Sequence, residues 1–233
     1  MIKKNIPNYI TLGNLLCGIL AIHQIYSGNY TLASWLIAIA ALLDFSDGFA
    51  ARMLKVSSPM GKELDSLADM VTFGLAPAMI LFNLYPEPES PLRYITLLIA
   101  LASAWRLAKF NIDTRQSDSF LGVPTPASAL FIGSLPLIFQ QSPNLEAYLT
   151  APVYLIISVF LSIAMVVELP LFSLKFKKFG FAENKVRYLF LIGSILLLIF
   201  LQFIALPVIV VIYIIISLIV HLANSNNDAA TSS

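Results

Sequence analysis

Val186 to Leu222 reads VRYLFLIGSILLLIFLQFIALPVIVVIYIIISLIVHL, a run in which Arg187 is the one permanently charged side chain. As a single helix rising 1.5 Å per residue it would be about 55 Å long, against roughly 30 Å of hydrocarbon in a bilayer. Gln202 and Pro207 stand near its middle and mark a tight hairpin, so the run divides into two crossings. The same length test applied towards the N-terminus finds apolar segments at about 9–27, 31–54, 62–84, 92–110, 125–141 and 149–172, with the last run giving about 186–203 and 205–222. The expected fold is an all-α integral membrane bundle of about eight transmembrane helices. One domain, residues 1–223, is expected, followed by a small polar tail, 224–233, read as disordered.

Composition agrees with lipid as the solvent. Apolar residues make up 58% of the chain and charged ones 12%, where a soluble domain carries about a quarter. Cys17 is the single cysteine, so no disulfide can form within the chain, and its apolar setting reads as a buried thiol. Lys3 and Lys4 precede an apolar run without a small-residue cleavage site, which is read as a retained first helix. A net charge of +1 gives no footprint for nucleic acid, and no such partner is expected.

The distribution of charge is more telling than its sum. With eight helices and both termini on one side, that side receives Lys3, Lys4, Arg52, Lys55, Lys62, Arg106, Lys109, Arg115, Lys175, Lys177, Lys178, Lys185 and Arg187. The other side receives Arg93 alone. Positive charge stays on the cytoplasmic side of a membrane protein, so both termini are expected there.

Asp44, Asp47, Asp65 and Asp69 lie at the ends of the second and third helices. Carboxylates at such depth face a bundle interior or a water-filled cavity and need a partner. Four of them repel one another, and a highly charged cation among them would hold the arrangement together. Asp44 and Asp47 are three apart and Asp65 and Asp69 four apart, so each pair shares one helix face. Ser57, Ser58, Pro59 and Gly61 supply turn chemistry for an antiparallel hairpin that brings the pairs together. Oxygen ligands without nearby cysteine or histidine suit hard cations, Mg²⁺ or Mn²⁺, and two ions fit the charge. Two such ions can clamp both the attacking and the leaving oxygen of a phosphoryl transfer. Gly48 and Ala51 allow close approach of a ligand or helix, and Arg52 offers a planar fork to phosphate.

Asp44-x-x-Asp47-Gly48-x-x-Ala51-Arg52, eight residues, then Gly61-x-x-x-Asp65-x-x-x-Asp69 resembles the CDP-alcohol phosphotransferase signature at every fixed position. The resemblance implies transfer of a phosphoryl-alcohol group from a CDP-linked donor to an acceptor hydroxyl, with release of CMP. It implies that Asp44 and Asp65 bridge two divalent cations, that Asp47 completes one site and Asp69 the other, and that Asp69 is the general base. Gly48, Ala51, Arg52, Ser58 and Gly61 would lie against the CDP portion. Pro7-Asn8-x-x-Thr11-x-x-Asn14 is similar to the family segment near the nucleotide, which adds Pro7, Asn8 and Thr11 to the CDP-binding set. A polar cavity facing the cytoplasm and a homodimer are further implications.

Asp69-Met-Val-Thr-Phe73-Gly74-Leu-Ala-Pro77-Ala78, Arg106-Leu-Ala-Lys-Phe-Asn111 and Phe120-Leu-Gly-Val-Pro124-Thr-Pro126-Ala127 resemble the phosphatidylserine synthase branch. The substrates implied are CDP-diacylglycerol and L-serine, in a prokaryotic inner membrane. Lys109 stands where that branch leads one to expect arginine, and it lacks the bidentate fork. A zwitterionic acceptor needs a cation for its carboxylate, which Arg106, Lys109 and Arg115 could supply, and Asn111 and Asp113 could receive its ammonium. The same cations also satisfy the charge rule for topology, and Lys175, Lys177, Lys178, Lys185 and Arg187 read as headgroup or topology residues near which Glu168 could pair. Sibling enzymes using glycerol 3-phosphate or inositol phosphate are the nearest alternative. A divalent-cation transporter is the alternative of a different class.

Overall fold

The computed structural model describes residues 2–56, 58–113, 120–171 and 184–231. Arg115, Lys175, Lys177, Lys178 and Ser57, all named above, lie outside the described residues. The chain folds as helices α1 (Ile2–Tyr26), α2 (Tyr30–Leu54), α3 (Pro59–Asp69), α4 (Ala76–Leu84), α5 (Leu98–Ile112), α6 (Thr125–Gln141), α7 (Ala151–Val166), α8 (Lys185–Leu201) and α9 (Ala205–Thr231). Short 3₁₀ turns lead into α5, α7 and α9. The only strands among the described residues form a two-residue antiparallel ladder, β1 (Phe120–Leu121) with β2 (Pro170–Leu171), in which Phe120 is in register with Leu171.

Among the described residues, five helical stretches are long and apolar enough to cross a membrane: Asn5–Tyr26, Tyr30–Leu54, Pro59–Leu84, Pro91–Ile112 and Lys185–Leu222. Ala151–Val166 is apolar but shorter. It stops before the residue 172 expected from hydropathy because Val167 turns extended and the chain enters the β1–β2 ladder. α6 is the helix most enclosed by protein, with most of its residues buried.

Lys185–Leu222 folds back on itself, as its length requires. Phe190 and Tyr213, which would stand about 35 Å apart on a straight helix, have ring centroids 5.6 Å apart. Gln202 makes the turn with a positive φ of 49°, while Pro207 sits in the first turn of α9, where its missing N–H costs nothing. The Gln202 amide is partnered by Gln141 at the end of α6, and Phe203 meets Trp35 of α2 edge-on. α9 continues as helix to Thr231, into the segment whose composition reads as a disordered tail.

Large apolar side chains point both ways. Phe73, Ile80, Ile99, Ile132, Leu161 and Met165 form the interior, while Leu16, Phe45, Leu101, Trp105, Phe200 and Ile219 are exposed along the helices. A water-soluble protein does not present so much contiguous apolar surface, whereas a bilayer solvates it. The chain is an integral membrane protein.

Local chemistry sets the helix ends that matter for the site. Asn29 caps α2, its side chain accepting from Leu32 N at 3.2 Å, a bond worth about 1 kcal/mol at such positions. Lys55 closes α2 in the left-handed conformation. Ser58 then caps α3 by accepting from Gly61 N at 3.0 Å, with Pro59 in the first helical position. The four-residue connection makes α2 and α3 a hairpin.

α3 and α4 are one rod interrupted by a π-helical turn, Met70–Leu75, beginning directly after Asp69. Wide turns of this kind re-aim side chains and occur often beside functional sites. Here the turn is clasped by α1. A Cβ on Gly18 would stand 2.2 Å from Thr72 Oγ1 and 2.9 Å from its Cα, so the two backbones meet only because Gly18 has no side chain. Thr72 Oγ1 also donates to Asn14 O at 3.2 Å.

Candidate functional site: a carboxylate cluster beside a polar cavity

The α2–α3 hairpin brings Asp44, Asp47 and Asp65 together, with one carboxylate oxygen from each lying within 4.8 Å of the others. Asp47 is buried, and Asp44 and Asp65 are half-buried. Asp69, one turn beyond Asp65, is buried too and lies within electrostatic reach of the other three. Helix α1 holds both inner carboxylates in place. Thr11 Oγ1 donates to Asp47 Oδ2 at 2.6 Å, and Asn14 Nδ2 donates to Asp69 Oδ1 at 3.1 Å.

This donor set fits a hard divalent cation. The cluster is all oxygen, as Mg²⁺ or Mn²⁺ prefers. Asp65 Oδ1 is fully buried and accepts no hydrogen bond, although an unpaired buried carboxylate oxygen costs far more than a satisfied one. Among the described residues no lysine or arginine forms an ion pair with any of the four.

Beside the cluster lies a cavity of about 820 Å³ between the N-terminal half of α1 and the α2–α3 hairpin. Its wall includes all eight residues that the sequence assigns to a nucleotide: Pro7, Asn8, Thr11, Gly48, Ala51, Arg52, Ser58 and Gly61. Asp47 and Asp65 reach the same wall and join the cavity to the carboxylate cluster. Gly48 has only Arg52 near the position of a Cβ, at 3.8 Å, so its small size serves the cavity rather than helix packing. Gly61 differs, because a Cβ there would press on Asn8 Oδ1 at 3.0 Å and Ser58 Oγ at 3.1 Å. It keeps α3 close to α1.

Thr11 does more than line the cavity, since its hydroxyl is committed to Asp47. Asn14 and Lys62 were not assigned roles from sequence. Asn14 follows Thr11 by three residues on the same face of α1, a periodicity that could have signalled a shared carboxylate-holding role. Lys62 lines the cavity and donates from Nζ to Asn111 O at 2.6 Å, linking α3 to the end of α5. Asn111 Nδ2 adds a second link, to Ser66 Oγ at 2.9 Å.

The residues proposed for an acceptor are less uniform. Arg106 is 8% exposed, its Nε has no hydrogen-bond partner, and it lies within electrostatic reach of Asp69 and Tyr213. Lys109 is already paired, Nζ to Glu168 Oε1 at 2.5 Å, so among the described residues Glu168 has a lysine of α5 as an ion-pair partner. Asn111 uses its backbone O and its Nδ2 for the α3 links just described, while its Oδ1 is buried without a hydrogen-bond partner.

The pattern of the CDP-alcohol phosphatidyltransferase family matches residues 4–171. Among curated relatives, a CDP-diacylglycerol–serine O-phosphatidyltransferase of Bacillus subtilis is 41% identical over 160 residues, covering 66% of this chain and 86% of the relative. Its namesake in Helicobacter pylori is 34% identical over 163 residues, covering 69% and 68%. One in Methanocaldococcus jannaschii is 38% identical over 128 residues, covering 54% and 58%. With the signature aspartates gathered at one cavity and the match spanning most of the chain, the protein is a member of the CDP-alcohol phosphatidyltransferase family.

Proposed function

We propose that the protein transfers the phosphatidyl group of CDP-diacylglycerol to the hydroxyl of L-serine, giving phosphatidylserine and CMP. The observation that carries this reading is the meeting of the complete family signature with one cavity of nucleotide size at the carboxylate cluster. The relatives named above carry this activity in their names. The acyl chains would stay in the bilayer while the CDP headgroup occupies the cavity. Cavity and termini would face the cytoplasm, as the sorting of basic residues suggests.

Two divalent cations, Mg²⁺ or Mn²⁺, would be held by Asp44, Asp47, Asp65 and Asp69. Bound there, such ions neutralise a pyrophosphate and polarise its phosphoryl oxygens. Arg52 would fork onto phosphate, and Gly48 and Ala51 would let the nucleotide lie against α2. The serine oxygen forms a bond to the phosphorus that carries the lipid, as the bond from that phosphorus to the bridging oxygen breaks and CMP leaves. Asp69 would take the hydroxyl proton, held in orientation by Asn14. Arg106, Lys109, Asn111 and Arg115 would serve the acceptor end, and a homodimer in a prokaryotic inner membrane is the expected assembly.

The test is CMP release by purified protein with CDP-diacylglycerol and Mn²⁺ or Mg²⁺, offering L-serine, glycerol 3-phosphate and inositol phosphate separately. Release that depends on serine supports the reading, and release with another acceptor overturns it in favour of a sibling activity. Metal uptake into liposomes without CDP-lipid, and no release with any acceptor, would favour transport.

A further inference from the structure

A narrow cleft beside the carboxylate cluster has Arg106 and Lys109 on one wall and Glu168 on the other. Arg106 and Lys109 are three apart and share one face of α5. Arg106 is buried and within electrostatic reach of Asp69, whereas the Lys109–Glu168 pair is partly exposed, at 33% and 46% of the two side chains. The cleft thus has a partly exposed ion pair in its wall and, through Arg106, an electrostatic link to the proposed base. Glu168 is not on a loose loop. It follows α7 by two residues, and its neighbour Leu169 accepts from Gly122 N at 2.9 Å. Gly122 has φ +75°, and a Cβ there would lie 2.5 Å from Met165 O, so this crossing is fixed closely.

We infer that Glu168 is the residue that selects an acceptor bearing an ammonium group, and that the Lys109–Glu168 pair is the closed form of the acceptor subsite. This rests on the serine reading given above. An amino-acid zwitterion carries the same two charges as the pair, in the opposite sense. Entering between them, its carboxylate meets Lys109 and the buried Arg106, and its ammonium meets Glu168, so each charge of the zwitterion faces charge of the opposite sign. The cleft as it stands, about 10 Å³, holds no more than one water, so entry must part the pair. Exposed ion pairs are weak enough for that. An anionic acceptor without an ammonium, such as glycerol 3-phosphate, would meet the Glu168 carboxylate as repulsion, which is how specificity against a wrong substrate is commonly built.

The test uses the full-length protein in detergent or vesicles and measures CMP release with L-serine and with 3-hydroxypropionate, which is serine without its amino group. Glu168→Gln keeps the shape and removes the charge. It is expected to raise KM for serine by about 10- to 100-fold, the usual worth of a hydrogen bond to a charged group, and to narrow the preference for serine over 3-hydroxypropionate by a similar factor. KM for CDP-diacylglycerol should not move, which also reports an intact fold. Lys109→Glu combined with Glu168→Lys restores an ion pair with reversed polarity. If Glu168 selects the ammonium, the double variant remains as poor with serine as Glu168→Gln. Recovery of the wild-type KM in the double variant, or an unchanged acceptor preference in Glu168→Gln, would reduce the pair to a structural tie and overturn the inference. Wild-type protein without serine-dependent release would overturn the serine reading and the inference with it.

Discussion

The cavity proposed for the nucleotide is lined by residues within 5–11, 47–56 and 58–65, whereas the cleft proposed for the acceptor joins Lys109 on α5 to Glu168, 59 residues further on. The first is built almost entirely from helix faces. Its residues recur at three- and four-residue spacing, and a four-residue turn capped by Ser58 sets the angle between the two helices. The second depends on a non-helical crossing, where Gly122 and the β1–β2 ladder fasten the entry to α6 against the exit from α7. A helix face fixes its chemistry by spacing alone. A crossing fixes it by contacts between distant segments, so it tolerates change and can be tuned for another acceptor.

If that division holds, damage at the carboxylate end should stop the reaction whatever the acceptor. Asp69→Asn is expected to lower kcat by about 10²- to 10⁴-fold, the usual contribution of a general base, with serine and with any surrogate acceptor alike. Binding of CDP-diacylglycerol to this variant, followed by equilibrium titration, should be largely kept. Normal turnover would remove the base assignment.

Thr11→Val takes away the 2.6 Å hydrogen bond to Asp47 while preserving shape. Loss of a partner that orients a metal ligand weakens metal binding by about 10- to 100-fold. The Mn²⁺ concentration giving half-maximal activity should rise accordingly, and saturating metal should recover most of the rate. A rise in KM for CDP-diacylglycerol alone, with the metal requirement unchanged, would make Thr11 a nucleotide contact only.

Gly18→Leu drives a side chain into Thr72 on the π turn. Overpacking of this kind costs about 1–3 kcal/mol, read as a lower midpoint for thermal unfolding in detergent. Because the same turn begins after Asp69, activity should fall in parallel. Phe190→Leu is the smallest change, since it loses a ring contact with Tyr213 worth about 1 kcal/mol in the α8–α9 hairpin, away from the residues lining the nucleotide cavity. It should leave KM for CDP-diacylglycerol where it is.

The same contrast explains what could be read from sequence. The shared faces of Asp44 with Asp47 and of Asp65 with Asp69 are legible because helical spacing converts directly into a shared face, whereas the eight residues that line the cavity come from the family resemblance. The turn at Gln202 was legible because no single helix of that length suits a bilayer. Lys109–Glu168 and Asn14–Asp69 were not, since 59 and 55 residues separate the partners and only packing brings them together. The π turn was hidden as well. Gly74 within Met70–Leu75 and Pro77 just after it weaken a regular helix there, but they do not specify a π turn, and the close approach of Gly18 to Thr72 joins residues far apart in sequence.

The most direct test of the central claim is the phosphorus-containing product formed by purified protein from CDP-diacylglycerol, L-serine and Mn²⁺ or Mg²⁺, with CMP measured alongside. A serine-containing phospholipid formed in equal amount to CMP, and lost when the metal is chelated, is the predicted result. CMP formed without serine in the lipid product, or the same yield in the presence of chelator, would contradict it.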